Sequence, residues 1–224
     1  MDYTYLREGV ILDQNTCHSC VDCGLKGCMV PGGGTFPEFC LTKSLSRGVI
    51  EAVLQKYLDD PVLQKMAVSA AEIEDETYCR TTRVEDTISF AKRMGYKKLG
   101  IATCGGLLEE SRVLARILRK HGFEVYAAVC KIGNNPKTDV GVPEAHITNS
   151  GPIMCNPILQ AEVLNRAGTD LNIVVGLCVG HDSLFYRHSQ AFCTTLIAKD
   201  RVLMHNPAAA LYGTNMYYKK LLKD

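Results

Sequence analysis

The stretch LNIVVGLCVGHD, residues 171–182, decides the fold. Its first part, NIVVGL, is a continuous apolar run, as expected of a parallel strand covered on both faces. It runs straight into Cys178-Val179-Gly180-His181-Asp182, a turn that opens a short helix. In open α/β sheets, ligands sit just outside the carboxyl ends of such strands. Cys178 and His181 therefore stand where chemistry is usually done, and they are the catalytic candidates. Asp182 reads as a helix cap.

Three more cysteines hold equivalent positions on either side of this turn. Cys104 ends KKLGIATC, Cys130 ends FEVYAAVC, and Cys155 stands just before Asn156-Pro157, a helix start. Between them lies a helix from about Leu107 to Lys120 that stops at Gly122, and another runs from Pro157 to Gly168. Strands alternating with helices predict an α/β domain with a flavodoxin-like or Rossmann-like parallel sheet. Residues 131–152 form a long loop rich in glycine, proline and asparagine on the same rim. Further on, Thr194–Ala198 and Val202–Met204 flank Lys199-Asp200-Arg201, and this reads as a C-terminal hairpin.

On such a rim Cys104, Cys130, Cys155 and Cys178 converge from separate segments. Convergent thiolates hold soft metals or iron–sulfur clusters. Alternatively, one or two of them act as nucleophiles or acid–base groups activated by His181. Gly105, Gly106 and Gly180, with Gly176, would let backbone amides approach a cluster or an anionic substrate.

A second thiol grouping is contiguous. Cys17, Cys20, Cys23 and Cys28 follow the pattern C-x2-C-x2-C-x4-C, with Cys40 further along. Zinc sites usually use C-x2-C pairs separated by a long spacer. Consecutive x2 spacings instead resemble the ferredoxin run that wraps a [4Fe–4S] cluster. The last spacing is one residue longer than in that run, so Cys28, Cys40 or a distant thiol could supply the fourth ligand. Zinc stays open as the alternative metal. His18 is either a zinc ligand or an exposed loop residue. The glycine-rich VPGGGTFP, residues 30–37, lacks the lysine and the preceding strand of a phosphate loop, and reads as a connector.

Composition narrows the classes. The 224 residues are 46% hydrophobic and carry a net charge of +1, which gives no nucleic-acid footprint. No apolar run is long enough to span a bilayer. The first residues show no secretory pattern, so the expected location is the cytoplasm. Eleven cysteines in a reducing compartment point to metal or thiol chemistry rather than disulfides. Cys79 and Cys193 lie away from the clusters and read as small buried hydrophobes. Three regions follow: a cysteine-rich metal module over 1–42, a helical segment packing on the core over 43–95, and the α/β domain over 96–224. Thr82-Arg83-Val84-Glu85 is a capping box opening the last helix of the middle segment.

The N-terminal array, the GLCVGHDSLF segment and the AKDRVLMHNPAAALY segment together resemble a family of cysteine-rich prokaryotic proteins described only as metal-binding, a domain of unknown function. The resemblance covers nearly the whole chain. It implies metal binding and supplies no reaction.

The sequence thus predicts a cytoplasmic metal-binding protein with an iron–sulfur centre and a redox or thiol-based site at the strand ends around Cys178. Its partners would be the metal or cluster, with a small-molecule substrate or a redox partner protein. Two alternatives stand beside it: a non-catalytic zinc protein with a structural or sensing role, and a metal-free racemase-like enzyme that uses Cys104 and Cys178 as opposing acid and base. Flavin stays open as a cofactor, because a flavin at strand ends leaves no motif to read. Whether the chain is an enzyme, and its oligomeric state, do not follow from the sequence.

Overall fold

The computed structural model describes residues 19–223. The chain divides between Val68 and Ser69 into two compact units. The second is built on a four-stranded sheet: β1 (Lys98–Thr103), β2 (Glu124–Val129), β3 (Leu171–Val175) and β4 (Phe192–Ile197), in the order β2-β1-β3-β4. Every pairing is parallel. This is the order of the flavodoxin-like class, with the topological switch between β1 and β3. As the LNIVV run predicted, all five residues of β3 are buried, and so are five of the six in β1.

Helices cover both faces. Alternate strand residues Leu99, Ile101, Leu171, Ile173 and Val175 pack against α4 (Arg83–Met94) and α5 (Leu108–Lys120) through Ile88, Ala91, Leu114 and Leu118. The other face, with Ala102, Ala128 and Val174, packs against α6 (Pro157–Ala167) and α7 (His181–His188) through Ala161, Leu164 and Phe185. The two-residue period of a strand divides one sequence between two cores. Local signals set the helix ends. Thr82 and Glu85 close a capping box on α4, and Gly95 ends it in the left-handed region. In α5, Glu109 and Glu110 occupy the first turn and Arg119 and Lys120 the last, matching the helix dipole.

The C-terminal hairpin does not form. Residues 192–197 instead add a fourth parallel strand to β3. The segment after it coils back, because Asp200 Oδ1 accepts the backbone N–H groups of Val202 and Leu203 at 2.9 and 2.8 Å. The His205 N–H then bonds to the Asp200 carbonyl, and Met204 and His205 are left-handed. An Asx turn thus takes the place of a returning strand.

At the opposite end of the sheet the strands are locked in register. Gly100 pairs with Asn172, and a Cβ at Gly100 would lie 1.9 Å from Asn172 Oδ1. The fully buried Asn172 accepts from Thr169 Oγ1 and donates to Ser189 Oγ, both at 2.8 Å.

The first unit consists of two single 3-10 turns, Cys20–Asp22 and Gly27–Met29, followed by α1 (Leu41–Ser44) and α2 (Arg47–Asp59). The first turn is closed by Ser19 and Asp22. The glycine-rich loop folds back on the second: the Gly34 N–H bonds to the Gly27 carbonyl at 2.9 Å. A Cβ at Gly27 would stand 2.3 Å from the Thr35 oxygen, so this close approach requires glycine. A further helix, α3 (Pro61–Thr77), begins in this unit and ends in the second.

Candidate functional site

Each strand of the second unit delivers a polar group to the same rim. Directly after β1, Cys104 holds its place through its N–H to the Val175 carbonyl of β3, at 3.1 Å. Directly after β2, Cys130 donates its N–H to the Thr103 carbonyl at 2.8 Å. Cys155 precedes the Asn156 cap of α6, and the Asn156 N–H returns to the Cys130 carbonyl at 2.7 Å. Cys178 lies in the turn between β3 and α7, where its carbonyl accepts from the N–H groups of His181 and Asp182.

Three of these thiols stand in a line. Cys130 is in the middle, beside Cys104 on one side and Cys155 on the other, and Cys155 in turn stands beside His181. Cys130 is 4% exposed, whereas Cys104 and Cys155 are only half-buried. The order of ionisation follows. The neighbouring Cys130 thiol, then the Gly106 N–H and Lys199, draw the Cys104 thiol down to about 5. The neighbouring Cys130 thiol, then His181 and Lys131, draw Cys155 down to about 4. Two thiolate neighbours and burial push Cys130 well above its ordinary value. The Cys155 thiolate in turn raises His181. Cys104 and Cys155 are thus favoured as thiolates, with a proton held at Cys130 between them.

Cations and amides surround these charges. Lys199 Nζ donates to Cys104 Sγ at 3.4 Å, and the Gly105 N–H donates to Cys130 Sγ at 3.3 Å. Arg201 Nη2 donates to Cys178 Sγ at 3.1 Å and also feels the charges of Cys104 and Cys155. Gly105 and Gly106, in the single turn after Cys104, thus turn their amides toward sulfur. Gly180 does not share in this. It is the left-handed N-cap of α7 and meets no neighbouring atom where a Cβ would be.

The structure therefore brings Cys104, Cys130, Cys155 and His181 together, and it gives Cys178 a separate partner in Arg201. His181 pairs with Cys155, and the thiol partner of Cys104 is Cys130. Among the described residues, no three His, Cys, Asp or Glu side chains are arranged to hold one metal ion.

Sequence reading missed Lys199, Arg201 and Gln160. Lys199 and Arg201, which read as a hairpin tip, follow just after the carboxyl end of β4 at Ile197, where the strand-end rule that places the cysteines also applies. Gln160, fully buried on α6, donates through Nε2 to the carbonyls of Ala128 at 2.7 Å and Thr103 at 3.1 Å. It spans the tips of β1 and β2 directly beneath Cys104 and Cys130. A glutamine inside an amphipathic helix carries no sequence signal of such a role.

In the first unit, Cys20, Cys23, Cys28 and Cys40 line one cavity of about 250 Å³, with Phe36, Phe39 and Met29 among its walls. The N–H of Lys43, in the first turn of α1, holds the Cys40 thiol below its ordinary value. Cys17 and His18, expected as ligand and candidate ligand, lie outside the described residues. The remaining two cysteines differ from each other. Cys193 is half-buried in β4, and burial pushes its thiol up. Cys79 is exposed, with a left-handed backbone just past α3, so it is not the buried residue expected.

Fold and site together define an α/β protein of the flavodoxin-like class with a cluster of interacting thiols at its strand ends. The chain belongs to the family described as "Protein of unknown function (DUF1847)", whose model matches residues 40–196. It is also 48% identical over 189 residues to an uncharacterized protein of Methanocaldococcus jannaschii, covering 83% of this chain and 95% of that protein. Among the described residues, no helix is long and apolar enough to cross a membrane.

Proposed function

We propose that this chain is a thiol redox protein of the cytoplasm, with a reactive thiol centre at the strand ends and an iron–sulfur cluster held by its N-terminal cysteines. The observation that carries the reading is the line Cys104–Cys130–Cys155–His181, in which one buried thiol stands between two thiolates. The thiolate is the nucleophilic form of cysteine, and cationic, partly exposed surroundings are what keep it ionised. Lys199 and His181 supply those surroundings here. The open rim around them leaves access for a small-molecule substrate or a partner protein. A reducing location suits a protein whose ten described cysteines are all free.

The N-terminal assignment is supported by the donor set: four thiols around one cavity floored by aromatic side chains. A lone zinc ion binds sulfur at about 2.3 Å, which would draw four sulfurs to about 3.8 Å from one another. The cavity of about 250 Å³ that the thiols line leaves room for a multi-atom cluster. Cys20, Cys23 and Cys28 would hold it, with Cys17 or Cys40 completing the set. Such a cluster would supply one-electron transfer.

Purification without oxygen, metal analysis and alkylation mapping test both halves. Iron with acid-labile sulfide, lost in Cys20→Ser and kept in Cys79→Ser, is the expected result for the first unit. Zinc in a colourless protein would replace the cluster with a structural or sensing site. For the second unit, iodoacetamide at pH 6.5 should modify Cys104 and Cys155 before Cys193. The reverse order would sink the thiol-centre reading.

A further inference from the structure

Cys104 and Cys130 occupy neighbouring strand ends in one register. Thr103 pairs with Val129 on the last rung of β1 and β2, and the Cys130 N–H continues the ladder to the Thr103 carbonyl. The two cysteines stand one step further on. Adjacent strands lie about 4.8 Å apart, inside the Cα separation of about 4.4–6.8 Å that a disulfide spans. The two thiols are neighbours, and the N–H of the residue after Cys104 donates to Cys130 Sγ at 3.3 Å. Their exposure is unequal: Cys104 reaches the rim beside Lys199, while Cys130 is shielded behind it. An incoming sulfur meets Cys104 first.

We propose that Cys104 and Cys130 form a redox dithiol that reduces low-molecular-weight disulfides, with Cys104 as the attacking thiolate and Cys130 as the resolving thiol. The proposal rests on the thiol-centre reading and specifies its substrate class. In the first step a bond forms between Cys104 Sγ and one substrate sulfur. The substrate S–S bond breaks, and its other half leaves as a thiolate. Cys130 then passes its proton to Cys155, the other sulfur in contact with it, and attacks Cys104 Sγ. The mixed disulfide breaks and the second half leaves, also as a thiolate. Two electrons have moved from the protein sulfurs to the substrate sulfurs. One proton has moved from Cys130 to Cys155, and the total charge is unchanged. His181 beside Cys155 favours the thiolate there in the reduced protein, so a proton acceptor stands next to Cys130 when the mixed disulfide forms.

The test is glutathione disulfide added at pH 7 to the full chain, purified without oxygen with its metal as isolated. The reaction is quenched in acid, and the protein is alkylated and digested without reduction for mass spectrometry. The expected product is a peptide linking Cys104 to Cys130, with two glutathione thiols released per chain. Cys130→Ala, and Cys130→Ser beside it in case one fails to fold, should accumulate one glutathione on Cys104. Cys104→Ser should give neither product. A link joining Cys130 to Cys155, or no adduct on Cys104 in folded Cys130 variants, would overturn the dithiol while leaving the rapid alkylation of Cys104 intact. Slow alkylation of both Cys104 and Cys155 in the same samples would instead remove the thiol centre itself, and the dithiol with it.

Discussion

Lys199 Nζ lies 3.4 Å from Cys104 Sγ, and its side chain reaches that sulfur past two glycines, Gly176 beside its stem and Gly106 beside its ammonium. The contact joins the carboxyl ends of β4 and β1 across β3. It places a positive charge beside one of the two half-buried thiols that flank the buried Cys130. Replacing Lys199 by Met should raise the pKa of Cys104 and slow its alkylation below neutral pH. Each unit of rise lowers the thiolate fraction by up to about tenfold once the pH lies below both values. Lys199→Arg should keep most of the rate. Alkylation of Cys104, followed by peptide mapping from pH 4 to 8, reads the effect directly.

The wild-type profile has a defined shape. Cys104 and Cys155 are depressed to about 5 and about 4 from an ordinary 9.0. Their reactivity should stay level from pH 8 to pH 6 and fall only below about pH 5. Linkage has the same sign. A thiol whose folded value lies below its unfolded value stabilises the fold fully above pH 9, and loses that contribution as pH falls toward 5. The urea stability of wild type relative to Cys104→Ser should therefore increase between pH 5 and pH 9. A flat difference would show that Cys104 is not ionised in the folded protein.

Gln160 ties the tips of β1 and β2 together from below. Gln160→Leu leaves the Thr103 carbonyl without that donor and removes the only side-chain donor found for the Ala128 carbonyl among the described residues. The Thr103 carbonyl keeps the Cys130 N–H, and the partnerless Gln160 Oε1 leaves with the side chain, so a loss of about 1–2 kcal/mol, that of one or two ordinary hydrogen bonds, is expected by urea denaturation. The rate of Cys104–Cys130 disulfide formation should fall as well, because the two strand tips are no longer held together.

Gly176 is left-handed at φ +67°, and a Cβ there would lie 1.9 Å from Leu107 Cδ1. Gly176→Ala meets both a backbone penalty of about 1–2 kcal/mol and overpacking of about 1–3 kcal/mol. Leu107→Ala relieves the overpacking but costs about 2–5 kcal/mol of its own, because Leu107 is buried in the core. Thermal denaturation of both single variants and the double should therefore show Gly176→Ala costing less in the Leu107→Ala background, by the overpacking part.

Much of this unit was legible in its sequence. The apolar runs ending in Cys104, Cys130 and Cys178 named three of four strands and three of the rim thiols. Thr82, Asn156 and Gly168 marked helix ends through local chemistry that needs no tertiary context. The fourth strand was misread because FCTTLI, flanked by a charged turn, is equally consistent with one arm of a hairpin. Only its pairing with β3 decides, and that contact is remote in sequence. The same error hid Lys199 and Arg201. The pairing of His181 with Cys155 rather than Cys178 was also out of reach, since it depends on where α6 and α7 begin in space.

The Asn172–Gly100 latch has a bearing on what happens at the far end of the same strands. With no Cβ at residue 100, the buried amide occupies the space above the neighbouring backbone, so β1 and β3 cannot slip past each other by a residue. A bond made or broken among the sulfurs would pull on strand tips whose bases are anchored. The adjustment must then fall on side-chain torsions and on the Gly105–Leu107 turn. A rim of this kind can change its chemical state repeatedly while the scaffold beneath it keeps a single shape.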